Sequence, residues 1–166
     1  MPDDLVIRYS PTEAAHTLGK GVMAVLEVGR GVTLDKDTDL RADYATESDY
    51  MGIEVKTADG LYSDVLSERI DHQVPELLSD FEVPVLLTVG HLTWHEDGLQ
   101  VDGYKVRRFP WARFQRKLAR MGWGGITLLT AKNPREAGQT VLGLLRSVTA
   151  REFEPWQVQR HFPHVL

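Results

Sequence analysis

The stretch from Val83 to Val89, an apolar run with Pro84 near its start and Gly90 closing it, most constrains what this chain can fold into. A short apolar run without alternation suits a strand buried on both faces, and such strands occur where helices cover a parallel or mixed sheet from both sides. Ile126 to Leu129 reads the same way. Segments of helical spacing lie around these runs. Leu61, Val65, Ile70, Leu77, Leu78 and Phe81 predict two helical pieces or one kinked helix, because Pro75 interrupts them. Trp111 to Met121 predicts an amphipathic helix, with Phe114 and Leu118 on one face and Arg113, Arg116, Lys117 and Arg120 on the others. Strands and helices alternate with no linker or repeat, so the expectation is one α/β domain over residues 1–150 and a C-terminal tail over 151–166 that packs on the surface or on a partner.

Local signals fill in the order. Val6 to Tyr9 reads as a strand. Ser10-Pro11-Thr12-Glu13 reads as a capping box with proline at the first helical position, and Asn133-Pro134-Arg135-Glu136 repeats it before a helix through Val148. Thr33 to Tyr44 predicts a strand or hairpin leading into Asp43, with a turn from Glu47 to Gly52. Asp97-Gly98 and Asp102-Gly103 mark one or two hairpins between Leu92 and Val106.

The chemistry concentrates in Gly52-Ile53-Glu54-Val55-Lys56. Ile53 and Val55 alternate with charged residues, which predicts a half-buried strand with Glu54 and Lys56 on one face. A hard divalent cation takes oxygen ligands, so Glu54 needs a second acid, and Asp43 can supply it from a neighbouring strand. Lys56 then stands beside a phosphate oxygen or an attacking water, as a fixed charge or, with a strongly lowered pKa, as a base. Cysteine is absent, which excludes disulfides and thiolate metal sites. His91 and His95 have no evident third ligand, and no glycine-rich phosphate loop is present.

Charge is unevenly spread. The formal net charge is −5, yet residues 1–102 hold 21 acidic and 7 basic side chains, whereas residues 103–166 hold 3 and 12. Lys105, Arg107, Arg108, Arg113, Arg116, Lys117 and Arg120, followed by Lys132 and Arg135, occupy a stretch without a single acid. Beside a metal site, such a stretch reads as a track for a polyanion. The N-terminus lacks the basic-then-apolar pattern of a signal peptide and no apolar run approaches a membrane span, so a soluble cytoplasmic protein is expected.

The segments Ala42-Asp43-Tyr44, Gly52-Ile53-Glu54-Val55-Lys56, Glu68-Arg69-Ile70-Asp71-His72-Gln73 and Pro84-Val85-Leu86-Leu87, in this order, resemble the nuclease domain of the XPF-type structure-specific endonucleases of the PD-(D/E)XK superfamily. Val6-Ile7-Arg8-Tyr9 resembles the family's first strand, and Thr130-Ala131-Lys132-Asn133-Pro134 its last strand-to-helix turn, so the resemblance spans about residues 5 to 148. The sequence departs from the family where Ala42 replaces glycine, Val55 replaces arginine, and Gly60 stands where an acid is expected, with Asp59 one place earlier. The first-strand acid of many members is also not evident in Val6-Ile7-Arg8.

The resemblance implies a restriction-endonuclease-like fold, a mixed central sheet flanked by helices, and a DNA endonuclease dependent on Mg2+ or Mn2+. Asp43 and Glu54 would bind the metal, Lys56 would support the attacking water, and Arg69 and Gln73, four apart on one helix face, would orient phosphate or water. It implies a homodimer and a role on branched or structured DNA in repair, recombination or phage DNA processing. A chain of this length is expected to lack the tandem helix-hairpin-helix module of the XPF-type enzymes, so recognition is expected from the basic stretch, a dimer or a protein partner, and a solitary nuclease domain without a fused helicase suits a microbial or phage-encoded protein. Two alternatives stand beside this reading: an inactive nuclease-like module that binds nucleic acid or protein, and a nuclease of RNA.

Overall fold

The computed structural model describes residues 4–95, 98–101, 105–107 and 111–150, and all that follows concerns these residues. The chain opens with β1 (Leu5–Tyr9), a single 3-10 turn (Glu13–Ala15), α1 (Thr17–Glu27) and β2 (Val32–Lys36). It continues through β3 (Tyr44–Thr46), β4 (Met51–Thr57), α2 (Ala58–Leu66), α3 (Ile70–Asp80) and β5 (Val83–Val89). A small antiparallel sheet of β6 (Leu92–His95), β7 (Gly98–Val101) and β8 (Lys105–Arg107) follows, then α4 (Trp111–Gly124), β9 (Thr127–Ala131) and α5 (Pro134–Thr149).

The main sheet has the order β2-β1-β3-β4-β5-β9. β1 runs parallel to β2 but antiparallel to β3, β3 is antiparallel to β4, and β4, β5 and β9 are mutually parallel. This is the mixed sheet expected from the sequence. β5, between β4 and β9, is buried along nearly its whole length, as its unalternating text demands. In β4 the period of two divides the faces. Met51, Ile53 and Val55 join the core that α1 and α5 cover, with Val22, Leu26, Val141 and Leu145. Gly52, Glu54 and Lys56 face the other layer, where α2, α3 and α4 pack Leu61, Val65, Leu77 and Phe114 over Ala45 and Leu86. A Cβ on Gly52 would stand 2.3 Å from the ring of Phe81, so glycine is what lets this aromatic seat directly on the strand.

Three boundaries differ from expectation. Ser10-Pro11-Thr12-Glu13 does not cap a helix through its side chains: Ser10 Oγ lies 2.8 Å from Thr12 Oγ1, and α1 begins only at Thr17. The strand or hairpin expected over Thr33 to Tyr44 is instead β2, a loop through Asp43, and the short β3. The break between α2 and α3 falls at residues 67–69, where Glu68 takes φ 61°, and Pro75 lies inside α3. The second cap holds, with Asn133 accepting a 2.9 Å hydrogen bond from the Glu136 amide at the head of α5. No helix among the described residues is long and apolar enough to cross a membrane.

Candidate active site

The site forms where the sheet forks. β3 and β4 pair only over Tyr44–Ile53 and Ala45–Gly52, so β4 runs on beyond the start of β3. Asp43, just before β3, fills the gap in the ladder. Its amide donates to the Ile53 carbonyl at 3.1 Å, and its carboxylate oxygen Oδ2 accepts the Val55 amide at 2.6 Å, a donor the missing strand would otherwise leave unpaired. The chain leaving β1 closes the fork from the other side, Ser10 donating its amide to the Asp43 carbonyl at 3.0 Å. Glu13 follows on the 3-10 turn and is drawn inward. A Cβ on Gly19 would lie 1.9 Å from the Glu13 carbonyl oxygen, so the first turns of α1 can press on this loop only through glycine.

Glu54 and Lys56 project from β4 at the same place. Lys56 Nζ lies 3.0 Å from Glu54 Oε1 and 2.7 Å from Asp64 Oδ2, and the Lys56, Glu54 and Asp64 side chains are only 10%, 13% and 14% exposed. The strand passes into α2 at Thr57, whose side chain accepts the Gly60 amide at 2.9 Å, which fixes the helix that carries Asp64.

Burial and crowding of like charge dominate the electrostatics. Burial pushes the Asp43 carboxyl well above the usual range, and the charges of Glu54 and Glu13 push it further, only partly opposed by the Val55 amide. Glu13 is raised too, first by burial and then by Glu54, while its hydrogen bond with Asp43 and the charges of His16 and Lys56 pull the other way. The contact between the two carboxyls raises Asp43 and lowers Glu13, so they titrate as a pair rather than separately. Burial alone would lower the Lys56 ammonium, but Glu54 and Asp64 outweigh it and the pKa is raised. Glu13 Oε2 and the Tyr44 hydroxyl are buried without a hydrogen-bond partner among the described residues. A buried carboxylate oxygen without a partner, set among other acids, is a polar atom whose burial nothing among the described residues offsets. With Glu54 engaged by Lys56 and Asp43 by Val55, no three acids or histidines among the described residues stand in a ready coordination shell.

The structure brings Asp43, Glu54 and Lys56 to one end of β3 and β4, with Glu13 and Asp64 beside them. Arg69 is exposed at the head of α3, and Gln73 is half-buried with its Oε1 unpartnered. No hydrogen bond or ion pair among the described residues ties either of them to the acids. Asp59 lies in the first turn of α2.

The basic residues divide. Lys105 and Arg107 belong to β8 in the small sheet, and Arg108 lies outside the described residues, as does the tail. Arg113, Arg116, Lys117 and Arg120 line, with Val65 and Glu68, a groove of about 370 Å³ between α2 and α4. Arg113 pairs with Glu68 at 3.4 Å and Lys117 pairs with Asp71.

Fold and fork together define an α/β domain of restriction-endonuclease-like architecture. Neither family models nor curated proteins show a match to the sequence. Solved structures do. XPF from Aeropyrum pernix in complex with DNA superposes with a TM-score of 0.67 over 98% of this chain and 76% of that chain, at 17% identity. A second structure, XPF from Aeropyrum pernix, gives a TM-score of 0.64 over 97% and 75%, again at 17% identity. The chain has the fold of the XPF-type nuclease domain, as its motifs suggested, and at this identity the likeness is one of fold.

Proposed function

We propose that this protein is a divalent-metal-dependent endonuclease that hydrolyses phosphodiester bonds in branched or structured DNA. The observation that carries the reading is the convergence of Asp43, Glu54 and Lys56 at the fork, with the buried Glu13 beside them, whose Oε2 has no hydrogen-bond partner among the described residues. The donor set fits Mg2+ or Mn2+: carboxylate oxygens only, with a surplus of negative charge that the protein alone does not neutralise. Asp43 and Glu54 would hold the ion, and Glu13, whose carboxyl interacts with Asp43, would be a third acid once the site rearranges around it. When bound, the metal would supply charge to a phosphate oxygen and lower the pKa of a water.

The rest of the work falls to the chain itself. Two carboxylates hold Lys56 as an ammonium, so its role is to neutralise a non-bridging phosphate oxygen and orient the attacking water rather than to act as the base. The groove on α4 receives backbone phosphates, since Arg116 and Arg120 have no carboxylate partner among the described residues. The DNA in the Aeropyrum pernix structure supports DNA as the substrate polymer. Pairing of two copies, with Trp123 and Leu128 exposed near β9, the last strand of the sheet among the described residues, completes the reading.

Cleavage of labelled flap, fork, four-way-junction, single-stranded and RNA substrates tests it, with Mg2+, Mn2+ or EDTA. We expect cuts in branched DNA that need the metal and vanish in Glu54→Gln and Lys56→Ala. Binding without cleavage under either metal would favour the inactive module, and preferential cutting of RNA would replace the substrate.

A further inference from the structure

Asp64 reaches the fork from α2 and pairs there with Lys56. We propose that Asp64 is a positioning residue for Lys56: from α2 it anchors the ammonium over the fork so that Glu54 is free to bind a cation. The inference rests on the nuclease reading for its purpose, and on geometry for its substance. Lys56 Nζ lies closer to Asp64 Oδ2, at 2.7 Å, than to Glu54 Oε1, at 3.0 Å, and all three groups are screened from water. Asp64 is held rigidly. Its helix starts at the Thr57 cap directly after Lys56, and its neighbours Leu61, Tyr62 and Val65 are each 3% exposed or less in the core beneath.

Glu54 cannot serve both partners equally. A divalent ion on its carboxylate withdraws the negative charge that attracts Lys56 and repels the ammonium directly. With Glu54 as the only anchor, Lys56 would leave the fork when the site loads. Asp64 faces Lys56 from the helix side, and no contact among the described residues joins it to Asp43 or Glu13. It keeps the charge in place through that change.

The test compares wild type with Asp64→Asn and Asp64→Glu on a cleaved DNA substrate, each assayed well below its unfolding midpoint. Expected for Asp64→Asn is a fall in kcat of about ten- to a hundredfold, the range of small misplacements of a reacting group, with KM for DNA little changed. Asp64→Glu, which keeps the charge, recovers most of it. A second measurement does not depend on activity: the side-chain amino resonance of Lys56 in 15N-labelled protein. Wild type should show it with and without Mg2+, whereas Asp64→Asn should lose it on adding Mg2+. Wild-type kcat in Asp64→Asn, or a Lys56 resonance indifferent to the substitution, overturns the proposal. If wild type shows the resonance pattern but cuts no substrate, the nuclease reading fails while the anchoring by Asp64 stands.

Discussion

The acid fork and the groove on α4 use the same chemistry, lysine or arginine against carboxylate, under opposite conditions. At the fork Lys56, Glu54 and Asp64 are almost wholly buried, whereas Arg113 and Glu68 are 58% and 65% exposed. Burial makes the fork rigid and expensive: each charge lacks water, so removing one partner leaves the other stranded. Exposure makes the groove cheap and exchangeable, since water and salt already screen its pairs. One region suits chemistry that needs a fixed charge. The other suits the sliding contact of a phosphate backbone, where Glu68 and Asp71 can yield their cations to the ligand.

This contrast can be broken at several levels. The largest effect belongs to the fork: Lys56→Ala and Asp43→Asn should each lower kcat by about a hundredfold or more, while Arg116→Ala at low salt should leave kcat near wild type. Equal losses from both regions, measured in single-turnover cleavage, would erase the distinction. Next is the stability of the metal-free protein. A carboxyl raised on folding supports the fold fully below its unfolded value, about 4, and that support is lost as pH rises through its raised folded value. Asp43 and Glu13 are both raised by burial and by the charge of Glu54. The thermal midpoint in EDTA should therefore fall as pH rises above about 4, Glu13→Gln should flatten the fall, and Mg2+ at about a hundred times its Kd should restore about 2.7 kcal/mol.

Smaller effects lie in the groove. Arg116→Ala with Arg120→Ala should weaken DNA binding and reduce the slope of log K against log salt by about 0.9 for each phosphate no longer neutralised, as fluorescence anisotropy across salt would show. Smallest of all, Glu68→Gln should change stability by about 1 kcal/mol or less in urea unfolding, because its pair with Arg113 is exposed.

What is legible in the sequence follows from which interactions are local. The alternation Gly52-Ile53-Glu54-Val55-Lys56 places both charges on one face because a strand has a period of two whatever surrounds it. The cap at Asn133 is equally readable, since its side chain bonds an amide three residues on. Glu13 misleads because Ser-Pro-x-Glu spells a capping box, and only the fork between β1 and β3 shows that the carboxylate turns inward. Asp64 escapes a sequence reading because its pair with Lys56 joins a helix to a strand. The one local hint is a charge set between Leu61 and Val65 beside an apolar stripe. The break at Glu68 rather than Pro75 rests on a left-handed backbone at a residue whose type does not demand one. For Arg69 and Gln73, spacing on one helix fixes a common face but not its distance from the acids.

The most direct measurement of the central claim is anomalous scattering from crystals soaked in Mn2+. The account predicts a peak within coordination distance of Asp43 and Glu54, with Lys56 still paired to Asp64. A fully soaked crystal with no peak at the fork, or with its strongest protein-bound peak elsewhere, would contradict it.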